Sequence, residues 1–510
     1  MLRDLAGNTS QTRETVTIRP IIGLEIHVQL ATRTKMFCPC ALEFAAEPNS
    51  RVCPVCLGLP GSLPVMNRTA YELSVRAATA LNCKIATFTK WDRKSYYYPD
   101  MPKNYQISQY DLPLSSEGWF EVPAADGRSR RVGIIRAHLE EDAGKNLHEG
   151  LAYTRVDLNR AGTPLLEIVT KPDLADAEEA YNFCVELQRL VQYLGISEAN
   201  MQKGQMRFEP NVNVSITEGG VEYRTPISEI KNLNSFRSVR DAIKYEVDRQ
   251  VRAWQDDHDY TLAKVGKLNF GWDDVKLVTE FQRSKEESHD YRYFPDPDLV
   301  PVTVEDAWIS EVREKLGELP LARQQRFMRD FGMTVKDCEV VLADRATADL
   351  YDGAIAAGAD AKMLTKQFLG VWNNLASARG LSISGLGVTT GMIADLAKAV
   401  GGGSVSATAA TQIAEELAGA AKSGESVMDI AKRLGLVQER DEGATQKWVD
   451  EAFAANAQAV ADALGDNERK AKAAPGFLRG QVMKISQGKA DPKMVGELIE
   501  KKIAELKSAN

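Results

Sequence analysis

Apolar and polar positions alternate with a period of two in three stretches: Gly23–Leu30, Arg131–Arg136 and Asn211–Ile216. That rhythm predicts half-buried strands. In the first of them Leu24, Ile26, Val28 and Leu30 share one face, and Glu25, His27 and Gln29 share the other. Helical stretches intervene at Ala175–Leu194 and Val239–Trp254. Strand runs with occasional helices predict an α+β domain built on a largely antiparallel sheet. Three prolines between Pro295 and Pro301 stop regular structure. From Val304 onward apolar residues recur at three-to-four spacing amid abundant alanine, which predicts an all-α half. Gly401–Gly403 reads as a flexible break inside it, and the Asp441–Gly443 segment precedes the final helices.

A length of 510 residues is enough for two to four domains. Hydrophobic residues at 44% and charged residues at 26% describe ordinary globular composition. No apolar run reaches membrane-spanning length, so no membrane partner is expected. The first 18 residues mix Arg3 and Arg13 with Asp4 and Glu14 and lack an apolar core, unlike a signal or transit peptide. The net charge of −8 requires any nucleic-acid contact to be local or shared with partners. Seven cysteines, four of them clustered, suggest a reducing, cytoplasmic compartment and a metal rather than a disulfide framework.

Candidate chemistry follows from the polar positions. Glu25 and His27 present a carboxylate beside an imidazole. Glu140 and Glu141 lie in the acidic run Glu140–Asp142, Glu167 sits among apolar neighbours, and Glu209 lies in Met206–Asn213. Several acids with a histidine match the oxygen-rich ligation that Mg²⁺ prefers. Neither a P-loop nor a dinucleotide fingerprint occurs, so ATP phosphates would rest on metal and basic clamps; Arg207, Lys231, Arg283 and Lys285 are candidates. Cys38 and Cys40, then Cys53 and Cys56, form two knuckles able to supply four thiolates to one structural zinc. Tyr96–Tyr105 and Asp290–Pro295 mix aromatics with basic residues, a composition suited to stacking bases. From Glu468 onward ten Lys/Arg face five Asp/Glu, a net +5, which leaves −13 for the remainder of the −8 total. A basic terminal module on an acidic body suits local tRNA contact. Its last helix should bury Val495, Leu498, Ile499, Ile503 and Leu506 and turn Lys501, Lys502 and Lys507 to water.

Gly23–Leu30, Cys53–Gly61, Tyr98–Asp111, His138–Lys145, Asp157–Glu167, Lys285–Pro295 and Gly476–Lys484 together resemble the GatB family from about residue 19 to the tail. The resemblance implies a flexible segment over residues 1–18, a catalytic cradle domain over 19–303, a helical domain over 304–435 and a YqeY-like tRNA-binding tail over 436–510. It implies ATP and Mg²⁺ in the cradle, with Glu25, His27, Glu140, Glu141 and Glu167 at the matching positions. It also implies a heterotrimer in which an amidase (the A-subunit) and a small C-subunit are the partners, with misacylated Glu-tRNA(Gln) or Asp-tRNA(Asn) as substrate. Two departures stand out. The family more often reads Arg-Cys-Asp-x-Asn where this chain has Arg207–Asn211 with Glu209, and more often has Met where this chain has Gln282. The residues alone also permit a zinc-stabilised, non-catalytic tRNA-binding subunit.

Overall fold

The computed structural model describes residues 16–123, 129–148, 150, 152–284, 290–419, 425–438, 441–465, 467–486 and 489–509. Lys285 and most of the proposed N-terminal segment lie outside the described residues; the first strand already begins at Thr17. The chain divides into two compact units, Met1–Pro320 and Leu321–Asn510.

The first unit is an α+β body. Its sheet of ten strands runs Val278–Ser284, Lys267–Asp273, Ile227–Lys231, Met206–Glu218, Thr17–Gln29, Pro164–Thr170, Ser129–Glu141, Ser115–Pro123 and Lys84–Ile85, with Val221–Arg224 paired to Met206–Glu218. Every neighbour pair is antiparallel except Ile227–Lys231 with Lys267–Asp273. Alternation works as the sequence predicts. Ile22, Leu24, Ile26 and Val28 are buried with Leu166, Ile168, Leu139 and Phe208. Helices Ala177–Tyr193 and Phe236–Asp256 pack in this unit, entered through Asp176 and Ser235, whose side chains accept from Glu179 and Ser238 N–H. Phe120 meets Phe183, and Phe208 meets Phe236, edge to face. Helix Asp306–Leu316 belongs to the same unit, where Trp308 stacks on Tyr71.

One turn fixes the end of the central strands. Gly162 holds φ +87°, which a side chain would strain. Its N–H donates to Asp142 O at 2.9 Å, and its carbonyl accepts from Met36 N at 2.7 Å. The cysteine-bearing loop is thereby tied to the end of the Ser129–Glu141 strand.

Among the described residues, the regular structure of the second unit is helical, apart from an isolated bridge between Val405 and Val437. Gly401–Gly403 is not a loose break. Gly402 N bonds to Lys398 O at 2.8 Å, Gly403 N to Val400 O at 3.0 Å and Ser404 N to Ala399 O at 2.8 Å, so the glycines close a helix end. Helices Glu442–Ala455, Ala457–Leu464, Glu468–Ile485 and Pro492–Ala509 share a core of their own. Val495, Leu498, Ile499 and Ile503 are buried in it and Leu506 packs against it, as the helical spacing predicts. Lys501 and Lys507 are exposed. Lys502 is half-buried instead, paired with Asp450 and 4.9 Å above the Phe453 ring. Among the described residues no helix is long and apolar enough to cross a membrane.

Candidate active site and metal centres

Strand register assembles the polar face. His27 lies opposite Arg207 on one side and Glu167 on the other, and Glu167 lies opposite His138. One row along, Glu25 lies between Glu209 and Val169. Glu140 lies opposite Leu165. Residues directly opposite in neighbouring strands share a face. Four strands thus deliver these side chains to one cavity of ≈ 440 Å³. His27 Nε2 is 3.3 Å from Glu140 Oε1 and 3.7 Å from Glu167 Oε2, and His138 Nε2 is 3.4 Å from the same Glu167 oxygen. Donor atoms of His27, Glu140 and Glu167 all lie within 4.8 Å of one another.

The electrostatics are those of a crowded, partly dry acid cluster. Burial pushes Glu167 up, the neighbouring Glu140 charge adds to it, and its pKa stands at about 7. Burial also works against Glu140, but the His27 hydrogen bond and charge override it and hold the carboxyl at about 2. Burial opposes the His27 charge, yet Glu140 and then Glu167 raise its pKa to about 9. His138 is driven down to about 3, chiefly by burial, so its contact with Glu167 is not an ion pair. Two carboxylates compete here for one ring proton; with that proton displaced and the imidazole neutral, the three side chains are a donor set that fits a divalent cation completed by water or phosphate oxygens.

Cations ring this cluster. Lys231 bridges Glu209 and Glu229 at 2.8 Å each, and Lys267 reaches Glu229 at 2.9 Å. Arg207 is held by Asp142 at 2.9 Å. Lys94 lies 4.9 Å above the Tyr291 ring; burial disfavours its charge, but Glu140 and Glu167 leave its pKa raised. Arg136, Arg283, Tyr96 and Tyr293 also line the cavity. Tyr293 stacks on Tyr110 with centroids 4.2 Å apart.

A second cluster lies on the other side of the strand end. The sulfurs of Cys38, Cys40, Cys53 and Cys56 all fall within 4.8 Å of one another. The Cys53 N–H donates to Cys56 Sγ at 3.1 Å. Cys56 is held down at about 4, first by the hydrogen bond from Cys38, with burial opposing and the Cys53 amide and Lys35 assisting. Four free thiols converging this closely fit a tetrahedral metal with every position filled, the geometry of a structural zinc.

Residues 20–310 match the GatB/GatE catalytic domain family, and residues 349–503 match the GatB domain family. The chain belongs to the GatB family. It is similar to the B subunit of the aspartyl/glutamyl-tRNA(Asn/Gln) amidotransferase of Carboxydothermus hydrogenoformans, at 42% identity over 95% of this chain and 99% of that protein. The like-named protein of Moorella thermoacetica is 44% identical over 95% and 99%. That of Rhodopirellula baltica is 50% identical over 68% and 70%.

Within this GatB-family fold the sequence-predicted residues separate into two places. Glu25, His27, Glu140, Glu167, Glu209, Arg207, Lys231 and Arg283 line one cavity. Glu141 does not. As its neighbour's opposite in the pleat, it turns to the cysteine side, pairs with Lys103 and accepts from Ile107 N at 2.9 Å. Cavity residues that the sequence pattern did not single out are His138, Lys94, Arg136, Asp142, Glu229 and Lys267. For Arg136, His138 and Asp142 the signal was present, since they share the parity of Glu140. Glu229, Lys94 and Lys267 carried none beyond being polar.

Proposed function

We propose that this chain is the B subunit of a glutamine-dependent tRNA amidotransferase. It binds misacylated Glu-tRNA(Gln) or Asp-tRNA(Asn) in the cytoplasm, in a heterotrimer completed by an amidase (the A-subunit) and a small C-subunit. The observation that carries the reading is the cross-strand cluster of His27, Glu140 and Glu167 in a cavity that lysines and arginines line together with its acids, within a chain of this family.

The chemistry answers a specific obstacle. A side-chain carboxylate is a poor electrophile because oxide would have to leave. Attack of one carboxylate oxygen on the terminal phosphorus of ATP expels ADP and gives an acyl phosphate. Ammonia, supplied by the amidase, then attacks the carbonyl carbon, phosphate leaves with the surplus proton, and the amide remains. Glu25, His27, Glu140 and Glu167, with Glu209, would hold Mg²⁺, whose charge supports phosphoryl transfer. Arg207, Lys231, Arg283 and Lys285 would hold phosphates, Asp142 orienting Arg207 and Glu209 orienting Lys231. Tyr291 and Tyr293 offer ring faces to a base. The cysteine centre would carry one structural zinc, and the four-helix tail from about residue 436 would touch the tRNA body.

The test is a reconstituted complex given misacylated tRNA, glutamine and ATP. Glu140→Gln should abolish phosphorylation and amide formation while glutamine is still hydrolysed. Normal transamidation by that variant would remove the assignment.

A further inference from the structure

Lys35 is a side chain out of place. It is 1% exposed, on the loop that carries Cys38 and Cys40. Lysine is almost never buried this completely without a carboxylate. Among the described residues Lys35 meets none. Its ammonium donates to Cys56 Sγ at 3.6 Å and to Leu158 O at 3.3 Å. Glu141, which lines the cavity beside the cysteines, is engaged by Lys103 and the Ile107 amide. The backbone holds Lys35 firmly, with its N–H on Cys40 O at 3.0 Å and the next N–H on Gly162 O at 2.7 Å. Its position is therefore built, and the group it faces is a sulfur.

The charge count explains the pairing. Four thiolates around a divalent ion leave a net charge of about −2. Sulfur ligands buried in protein need donors to spread that charge, and outer partners of this kind tune both affinity and ligand orientation. The Cys53 amide supplies one such donor to Cys56, and Lys35 supplies a full positive charge to the same sulfur.

We propose that Lys35 is the charge-balancing positioning residue of the four-cysteine metal centre, binding no substrate and setting how tightly the thiolates hold their ion. The inference rests on the zinc reading above. Lys35 also joins the centre to the cradle. The loop that places its ammonium on Cys56 binds Gly162, Gly162 binds Asp142, and Asp142 holds Arg207 at the cavity wall.

The experiment uses the full chain and zinc competition against a chromophoric chelator. Zinc analysis of the wild-type protein comes first; absence of metal there would overturn the zinc reading itself. With zinc present, Lys35→Met should weaken zinc affinity roughly 10- to 100-fold. In the cobalt-loaded protein it should also shift the sulfur-to-metal charge-transfer band, which a merely space-filling role would not move. Unchanged affinity and an unchanged band would overturn the role of Lys35 while leaving the zinc centre standing. Should Lys35→Met fail to fold, the metal-free pair Cys56→Ala and Cys56→Ala with Lys35→Met decides. The double variant should melt higher than the single one, because cation and thiolate are removed together. A double variant that melts lower would overturn the pairing.

Discussion

Glu140 and Glu141 are adjacent, identical in type and both buried, yet the pleat gives them different work, and a pair of glutamine substitutions separates them. Glu141 and Lys103 have side chains 3% and 8% exposed and pair with each other. Removing one charge from a buried pair leaves the other unpaired and costs about 3–5 kcal/mol. The amide of Glu141→Gln still accepts from the Ile107 N–H, so the loss belongs near about 3 kcal/mol. At roughly 2 °C per kcal/mol for a unit this large, the sheet unit should melt about 6 °C lower. Transamidation per folded molecule should change little. Glu140→Gln should do the reverse. It takes the nearer carboxylate from His27 but also removes a charge that repels Glu167, which stays 3.7 Å from the ring. The stability loss should therefore be smaller than for Glu141→Gln, while activity falls by on the order of 100-fold or more, as when one electrostatic stabiliser is lost. The assays are thermal melts alongside single-turnover amidation. A Glu141→Gln protein that melts like the wild type and fails to phosphorylate would refute the division. Replacing the pair by Lys103→Met with Glu141→Leu should recover most of the lost stability.

Lys231→Met should raise KM for ATP several-fold with a smaller change in kcat, since it removes a proposed phosphate clamp and leaves Glu209 without its 2.8 Å partner; an unchanged KM counts against the clamp. Removing residues 441–510, whose core is self-contained, should raise KM for misacylated tRNA and flatten the salt dependence of binding, leaving tRNA-independent glutamine hydrolysis intact. Equal tRNA affinity in the truncated protein would make the tail a structural element. In the helical unit, burial works against the Asp352 charge, but Arg326 and Arg323 hold its carboxyl below the usual range. That stability is present above the unfolded carboxyl value and fades as pH falls through the folded one. Acid titration of Asp352→Asn should therefore show a shallower loss of stability below about pH 4 and a lower starting stability at neutral pH.

The two-fold rhythm made the strands legible. Leu24, Ile26 and Val28 are 0–1% exposed, and Glu25 and His27 face away from them, as alternation alone requires. The same rule, carried through the acidic run, separates Glu140 from Glu141 and groups Arg136, His138, Glu140 and Asp142. The register was beyond reach. His27, Glu167 and His138 are neighbours because three strands far apart in sequence pair at one offset, and a shift of one residue would turn each set to the other side. Glu229 and Lys267 enter the cavity through the parallel pair, which no local pattern announces. In the tail, helical spacing located the apolar stripe but not the partner of Lys502, because Asp450 lies on another helix.

The two clusters share one strand end, and this ties the metal reading to the catalytic one. Asp142 N bonds to Thr163 O, and Asp142 O accepts from Gly162 N, so the turn at Gly162 fixes the backbone that aims Glu140 into the cavity and Glu141 away from it. The cysteine loop grips the same turn through Met36 N, and Lys103 grips Glu141 from the cysteine side. A catalytic carboxylate must be held within a fraction of an ångström to share a cation with its neighbours. A metal-closed loop is stiffer than the same loop held by packing alone, because the ion fixes four side chains at once. With its metal bound, the proposed cysteine centre would thus stiffen the cradle without touching a substrate, through the one turn that both sides of the strand require.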